Sequence, residues 1–208
     1  RVADKLQTAE RMKQSSPNLI DYDKNISALK EVQPAPVKAS DIAVRVGTSW
    51  IDKELYKEFF CQLIALPYYM RDGIELYYNK HDGSWRVDRT TGYVRNFRTM
   101  NVTSVYGTER ANAYRLFEDC LNQRSTQIYD TVLDADGREK RVLNNSETVA
   151  AREKQNKIVE AFKDWIFRDP IRRDELETVY NRLFNQIRLP KYDGSYLRFP
   201  EMNPAIEL

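Results

Sequence analysis

Apolar residues recur along this chain with two periods, and the switches between them mark its elements. Leu6, Ala9 and Met12 lie about one turn apart and predict a mostly polar helix over residues 2–14, ended by Ser15-Ser16-Pro17. Tyr22, Ile26 and Leu29 predict a second helix over 21–31. Val32-Gln33-Pro34-Ala35-Pro36 then reads as a stiff extended connector, because each proline fixes its own φ and steers the preceding residue away from the helical region. Ser40 or Asp41 can cap a short helix over 41–46 that stops at Gly47. A longer helix over 52–65 follows. Ile51, Leu55, Phe59 and Leu63 fall four apart, with Tyr56, Phe60 and Ile64 beside them, and Pro67 ends it.

Beyond Pro67 the period drops to two. Ile74, Leu76 and Tyr78 alternate, as do Trp85 and Val87, with the turn signal His81-Asp82-Gly83 between them. A polar stretch runs to about 106, and Thr108 is placed to cap a helix over 109–122 whose inner face is Ala113, Phe117 and Cys120 or Leu121. Residues 127–133 and 138–143 predict a second hairpin turning at Asp136-Gly137. Ile158, Phe162, Trp165 and Ile166 predict a helix over 147–167. Asp169-Pro170 restarts the chain as a helix with an apolar stripe of Leu176, Val179, Tyr180, Leu183, Phe184 and Ile187, read as core-facing. After Pro190 the pattern is irregular. The expected class is α+β, mostly helical with two short antiparallel β-hairpins. The expected organisation is a helical lead-in over 1–32, a Pro-rich connector over 33–39 and one α+β domain over 40–208, with a sub-boundary near 100–108.

Composition narrows the functional classes. The 208 residues are 41% hydrophobic and 12% aromatic, which suits a folded chain rather than a disordered one. The net charge of +2, from 33 basic and 31 acidic residues, does not by itself announce a nucleic-acid partner, so any such surface must come from local clustering. No apolar run reaches the roughly 18 residues of a membrane span, and no signal peptide is expected. Cys61 and Cys120 sit far apart in apolar helical stretches, read as small buried hydrophobes in a reducing cytoplasm. Arg1 in place of Met and the stop at Leu208 read as boundaries within a longer chain.

The machinery of catalysis is missing from the sequence. Phosphate-cradling loops need closely spaced glycines, and the 7 glycines here form neither GxxxxGK(S/T) nor GxGxxG. One histidine and two distant cysteines cannot assemble a zinc site, so no metal is expected. A Ser-His-Asp arrangement would have to use His81, which the pattern puts in a turn. Asp134-Ala135-Asp136-Gly137 begins like a calcium loop, but Arg138 and Asn145 occupy ligand positions and a plain hairpin turn is the better reading.

Two stretches carry candidate function. Residues 40–66 resemble a helix-turn-helix, with Ala43 and Gly47 as the small residues of a tight crossing and the 74–88 hairpin as a wing. A winged-helix-like geometry over 40–88 is one reading and two core helices joined at a glycine cap the other, which Lys53 at a usually apolar place favours. The second stretch interleaves Arg86, Arg89, Arg95, Phe97 and Arg98, with Tyr93 nearby and only Asp88 opposing the charge. Arginines can hold phosphates and exposed rings can stack on bases, so these five, with Lys140 and Arg141 of the second hairpin, are the candidate nucleic-acid contacts. A solvated loop is the alternative.

Several motifs in order resemble a known family: ASDIAVRVGTSWI at 39–51, YGTERANAY at 106–114, DADG at 134–137 with RVLN at 141–144, FKDWIFRD at 162–169, YDGSYLRFP at 192–200 and MNP at 202–204. They are similar to an internal region of the very large proteins of mobile elements and phages that fuse an adenine-specific DNA methyltransferase to a Swi/Snf-like superfamily-two helicase. The resemblance spans nearly the whole chain. It implies a bacterial, cytoplasmic parent protein acting on DNA, with ATP and S-adenosylmethionine bound only by the rest of that parent and no cofactor here. It implies the helicase and methyltransferase domains of the same chain, and DNA, as partners, and no membrane. The family's catalytic residues have no counterpart, since Asn203-Pro204-Ala205 and Leu66-Pro67-Tyr68 do not make the methyltransferase motif and no Walker motif is present. The expectation is therefore a non-catalytic accessory module that contacts or positions DNA ahead of the motor, or else a connector that docks the two enzymatic parts without touching nucleic acid.

Overall fold

A computed structural model describes residues 2–15, 22–134 and 137–187. The chain divides into two compact units, Arg1–Val37 with Tyr180–Leu208, and Lys38–Val179. In the first, α1 (Val2–Ser15) and α2 (Tyr22–Glu31) pack together over Ala9 and Ile26. Lys13 pairs with Asp23, and Lys30 lies 3.7 Å from Glu10. Asn181 clips the backbone of Val37 from both sides, accepting from its N–H at 2.8 Å and donating to its carbonyl at 2.9 Å.

The second unit is α+β, with helices α3 (Lys53–Leu63), α4 (Gly92–Arg95), α5 (Ala113–Leu121), α6 (Asn145–Ile166) and α7 (Pro170–Phe184), the last running on into the first unit. Two antiparallel hairpins interrupt the helices: β1 (Ile74–Tyr78) with β2 (Trp85–Arg89), and β3 (Tyr129–Leu133) with β4 (Glu139–Leu143), each a separate two-stranded sheet. The wide apolar face of α3 makes the core. Phe60 stacks on Phe117 of α5 at 4.4 Å, Phe59 meets Phe162 of α6 edge-on at 5.1 Å, and Tyr56 meets Trp85 of β2 at 5.3 Å. Such ring pairs add roughly 0.5–1.5 kcal/mol each beyond the area they bury. Asp52 caps α3 by accepting from the Glu54 N–H at 2.8 Å. Its last carbonyls are met from downstream, Leu63 by Asn101 at 3.1 Å and Ile64 by Thr99 at 3.4 Å.

Hairpin β1–β2 is fixed to α5 through the otherwise open edge of β2. Trp85 N–H donates to the Asn122 side chain and Val87 N–H to Glu118, both at 2.8 Å. Trp85 Nε1 donates to the Gly47 carbonyl at 2.9 Å. Gly47 has φ +85° and lies so near α5 that an added Cβ would stand 1.8 Å from the Leu121 carbonyl oxygen.

Four expectations are corrected. Where a helix was expected over 41–46 there is one 3₁₀ turn, Ala39–Asp41, followed by extended chain. Ile42, Val44 and Val46 are buried while Ala43 and Arg45 are exposed, which is the alternation of a strand, and its β-branched residues prefer that backbone. The first helix of a helix-turn-helix is thus not formed, and the 74–88 hairpin packs on α3 and α5. The cap of α5 is Asn112, accepting from Arg115 N–H at 3.1 Å, while Thr108 closes a tight turn with Ala111. The polar stretch before 106 holds α4 and a π-helical turn, Asn101–Val105. Finally, of the α7 stripe only Leu176 is buried, and Leu183, Phe184 and Ile187 are exposed. The turn residue Asp136, the stop at Ser16-Pro17 and the motifs of 192–204 lie outside the described residues.

Candidate nucleic-acid interface

The surface that gathers arginine and tyrosine is built by the 3₁₀ turn Tyr68–Gly73, the end of β2, and α4. α3 ends at Leu63, where Ala65 takes φ +53° and the Leu66 N–H returns to the Cys61 carbonyl at 2.8 Å; Pro67 then leads into the 3₁₀ turn, on which Tyr68 and Tyr69 are 84% and 79% exposed. Gly73 lies against Thr91 and Val94, with space for no Cβ, which brings α4 up to the turn. Val94, fully buried, anchors α4, and Tyr93 beside it is 79% exposed. Tyrosine rings held outward by short, well-anchored turns supply flat faces that lose little entropy on contact.

The arginines join these turns in sequence. Arg95 Nε donates to the Arg89 carbonyl at 2.7 Å, and Arg98 donates to the carbonyls of Arg95 and Phe97 at 3.0 and 3.2 Å. Arg71 stands 5.6 Å from the Tyr68 ring, and Arg89 lies 5.0 Å from the ring of Tyr114. None of Arg71, Arg89, Arg95 and Arg98 forms an ion pair among the described residues. Burial pushes the Tyr114 hydroxyl up to about 12, with the Arg89 charge pulling weakly the other way.

The expected residues are thus only partly assembled. Arg89, Arg95, Phe97 and Arg98 form one patch, but Phe97 is half-buried and offers less face than the tyrosines. Arg86 points to the other side of the hairpin, opposite Tyr77, and pairs with Asp88 at 3.0 Å. That bond, with the Arg89 N–H, holds the Asp88 carboxyl below its ordinary value. Lys140 and Arg141 stand on the separate β3–β4 sheet, with Arg141 4.7 Å from the Tyr129 ring. Tyr68, Tyr69 and Arg71 were not among the expected contacts. Their signal was two consecutive tyrosines after a helix-stopping proline, at positions no apolar period uses.

Other chemistry is sparse. His81 is exposed in the first hairpin turn, its N–H donating to Asn79. Among the described residues no three His, Cys, Asp or Glu side chains converge as metal ligands, and no helix is long and apolar enough to cross a membrane. Both cysteines are free and buried, and burial raises their thiols to about 11 at Cys61 and about 12 at Cys120.

Fold and surface together define an α+β helix-and-hairpin module with an aromatic–basic face. The chain belongs to the family described as a domain of unknown function (DUF8437), which matches residues 45–186. No curated protein and no solved structure matches it.

Proposed function

We propose that this chain is a non-catalytic accessory module of a larger DNA-processing protein and that it contacts or positions nucleic acid through the tyrosine–arginine surface. The observation that carries the reading is the exposure of Tyr68, Tyr69 and Tyr93 on adjoining turns together with Arg71, Arg95 and Arg98, which form no ion pair among the described residues. Stacking on tyrosine is worth about 1–3 kcal/mol per base, and the arginines meet phosphates as forked donors. The sequence resemblance to methyltransferase–helicase fusions supports the same context. In that context ATP and S-adenosylmethionine belong to the remainder of the parent, the parent acts in a bacterial cytoplasm, and this module lies ahead of the motor.

The test is fluorescence anisotropy of the chain with duplex and single-stranded DNA across a salt series. Saturable binding that weakens steeply with salt is expected. Arg95→Ala with Arg98→Ala should reduce the log–log slope by roughly 0.9 for each duplex phosphate no longer neutralised. No binding at low salt by the folded chain, or an unchanged slope in the variant, overturns the reading.

A second reading, a connector docking the neighbouring enzymatic domains, is favoured by the hairpin β3–β4, whose Val132, Leu133, Val142 and Leu143 are exposed. Charging these four positions should abolish assembly with the neighbouring domains in that reading and leave DNA binding untouched in the first.

A further inference from the structure

Residues 42–46 form one wall of a groove of ≈ 810 Å³, whose other wall is α6 and whose end is the loop after α5. That volume lies within the range of ordinary ligand clefts. Its floor is apolar, from the buried Ile42, Val44 and Val46 to the half-buried Val159 and Phe167. Its charge has one sign: Arg45, Arg124, Arg152 and Lys163 line it, and among the described residues no aspartate or glutamate does. Lys163 is paired with Glu160 at 2.7 Å, whereas the three arginines are exposed and form no ion pair among the described residues.

The wall has a second property. The N–H groups of Ala43 and Arg45 and the carbonyl of Ala43 have no hydrogen-bond partner among the described residues, although the flanking Ile42 N–H and Arg45 carbonyl are used. In an extended chain, alternate residues send both backbone groups to the same edge. Ala43 and Arg45, the exposed members of the segment, therefore carry a short open strand edge beside a basic rim.

We propose that this groove binds an extended acidic peptide segment of a partner protein, added as a strand to the Ala43–Arg45 edge. Strand addition fills a donor–acceptor–donor row, apolar side chains of alternate residues enter the floor, and the intervening carboxylates meet the arginine forks. A nucleic acid fits less well. Phosphate has no donor for the Ala43 carbonyl, and Phe167 is the one aromatic residue lining the groove among the described residues. The site is separate from the tyrosine–arginine surface, so the two assignments stand or fall independently.

The experiment uses the full chain and a fluorescein-labelled heptapeptide, EVDVEVD, with KVKVKVK as the charge control. EVDVEVD should bind saturably and KVKVKVK should not. Arg45→Glu with Arg152→Glu should weaken binding at least tenfold. Ala43→Pro removes one edge donor without changing charge and should weaken it about fivefold. In the unaltered chain the peptide should shift the Ala43 and Arg45 amide resonances, a reading that needs no variant to fold. Absence of saturable EVDVEVD binding, or binding indifferent to both variants, overturns the proposal. Displacement of the peptide by an oligothymidylate of equal length overturns it too, and reassigns the groove to nucleic acid.

Discussion

Replacing Gly47 with alanine brings two separable penalties together at one position. The backbone there has φ +85°, and for an alanine that left-handed geometry costs roughly 1–2 kcal/mol. The new Cβ would also meet the Leu121 carbonyl oxygen at 1.8 Å, far inside the 3.4 Å at which ordinary contact begins. The obstacle is backbone, so the end of α5 or the 45–48 turn must move, and overpacking of that kind typically costs about 1–3 kcal/mol. Movement of the turn also strains the bond from Trp85 Nε1 to the Gly47 carbonyl, which ties the hairpin to the segment. A total near 3–4 kcal/mol corresponds to a fall in melting temperature of about 10 °C for a chain of this size. Gly83→Ala supplies the strain alone, since its φ is +70° and its nearest neighbour would be the Tyr78 hydroxyl at 3.9 Å. It should lower the melting temperature by roughly 3–6 °C. Gly92→Ala, with nothing within 4 Å and no left-handed φ, should leave it within about 2 °C. Thermal unfolding followed by circular dichroism reads all three. If Gly47→Ala melts no lower than Gly83→Ala, the close approach of α5 to the turn is wrong.

Three further outcomes are expected. Alanine at Tyr68, Tyr69 and Tyr93 together should weaken single-stranded DNA binding at least tenfold in anisotropy titrations with the melting temperature unchanged, because these rings are exposed. With their thiols raised to about 11 and 12, Cys61 and Cys120 should resist a disulfide reagent at pH 8 in the folded chain and react promptly in denaturant. The Asp130 carboxyl is held below its ordinary 3.8 by Arg110 and then Asn144, so its stabilising contribution is full above that value and is lost as pH falls through the lower folded one. Asp130→Asn should therefore flatten the acid limb of a stability–pH profile below pH 4.

The sequence pattern revealed the elements that carry several apolar residues in one period. Of the four-spaced Ile51, Leu55, Phe59 and Leu63, which lead into and along α3, all but the half-buried Leu55 are buried, and the first hairpin turns where Gly83 follows Asp82. The misreading of 41–46 arose because six residues ahead of a glycine suit a helix with its cap as well as a strand. The exposure of Ala43 and Arg45 decides it, and burial is set by tertiary packing that a short local stretch does not reveal. Helix α4 was invisible because a single anchor, Val94, sets no period. The face of α7 was legible as apolar, but periodicity says nothing of what covers a face, and Leu183 and Phe184 are exposed. At the candidate interface, strand alternation already implied that Arg86 and Arg89 look to opposite sides. Tyr68 and Tyr69 escaped notice because they belong to no repeating pattern.

The hairpin β3–β4 has a dynamic consequence. All of β4 is exposed, and β3 is only half-covered at Tyr129 and Asp130. Its attachment is at the base, where Ile128 exchanges hydrogen bonds with Thr148 and Asn144, and Arg110 grips Asp130 and the Tyr129 carbonyl. A two-stranded ribbon without a sheet or core behind it has marginal intrinsic stability. The ribbon therefore forms its own cooperative opening unit, separating at a free energy well below that of global unfolding, while α3, α5 and α6 stay locked by their aromatic core. Its strands can part and re-form on the microsecond timescale of hairpins without any cost to the rest of the unit.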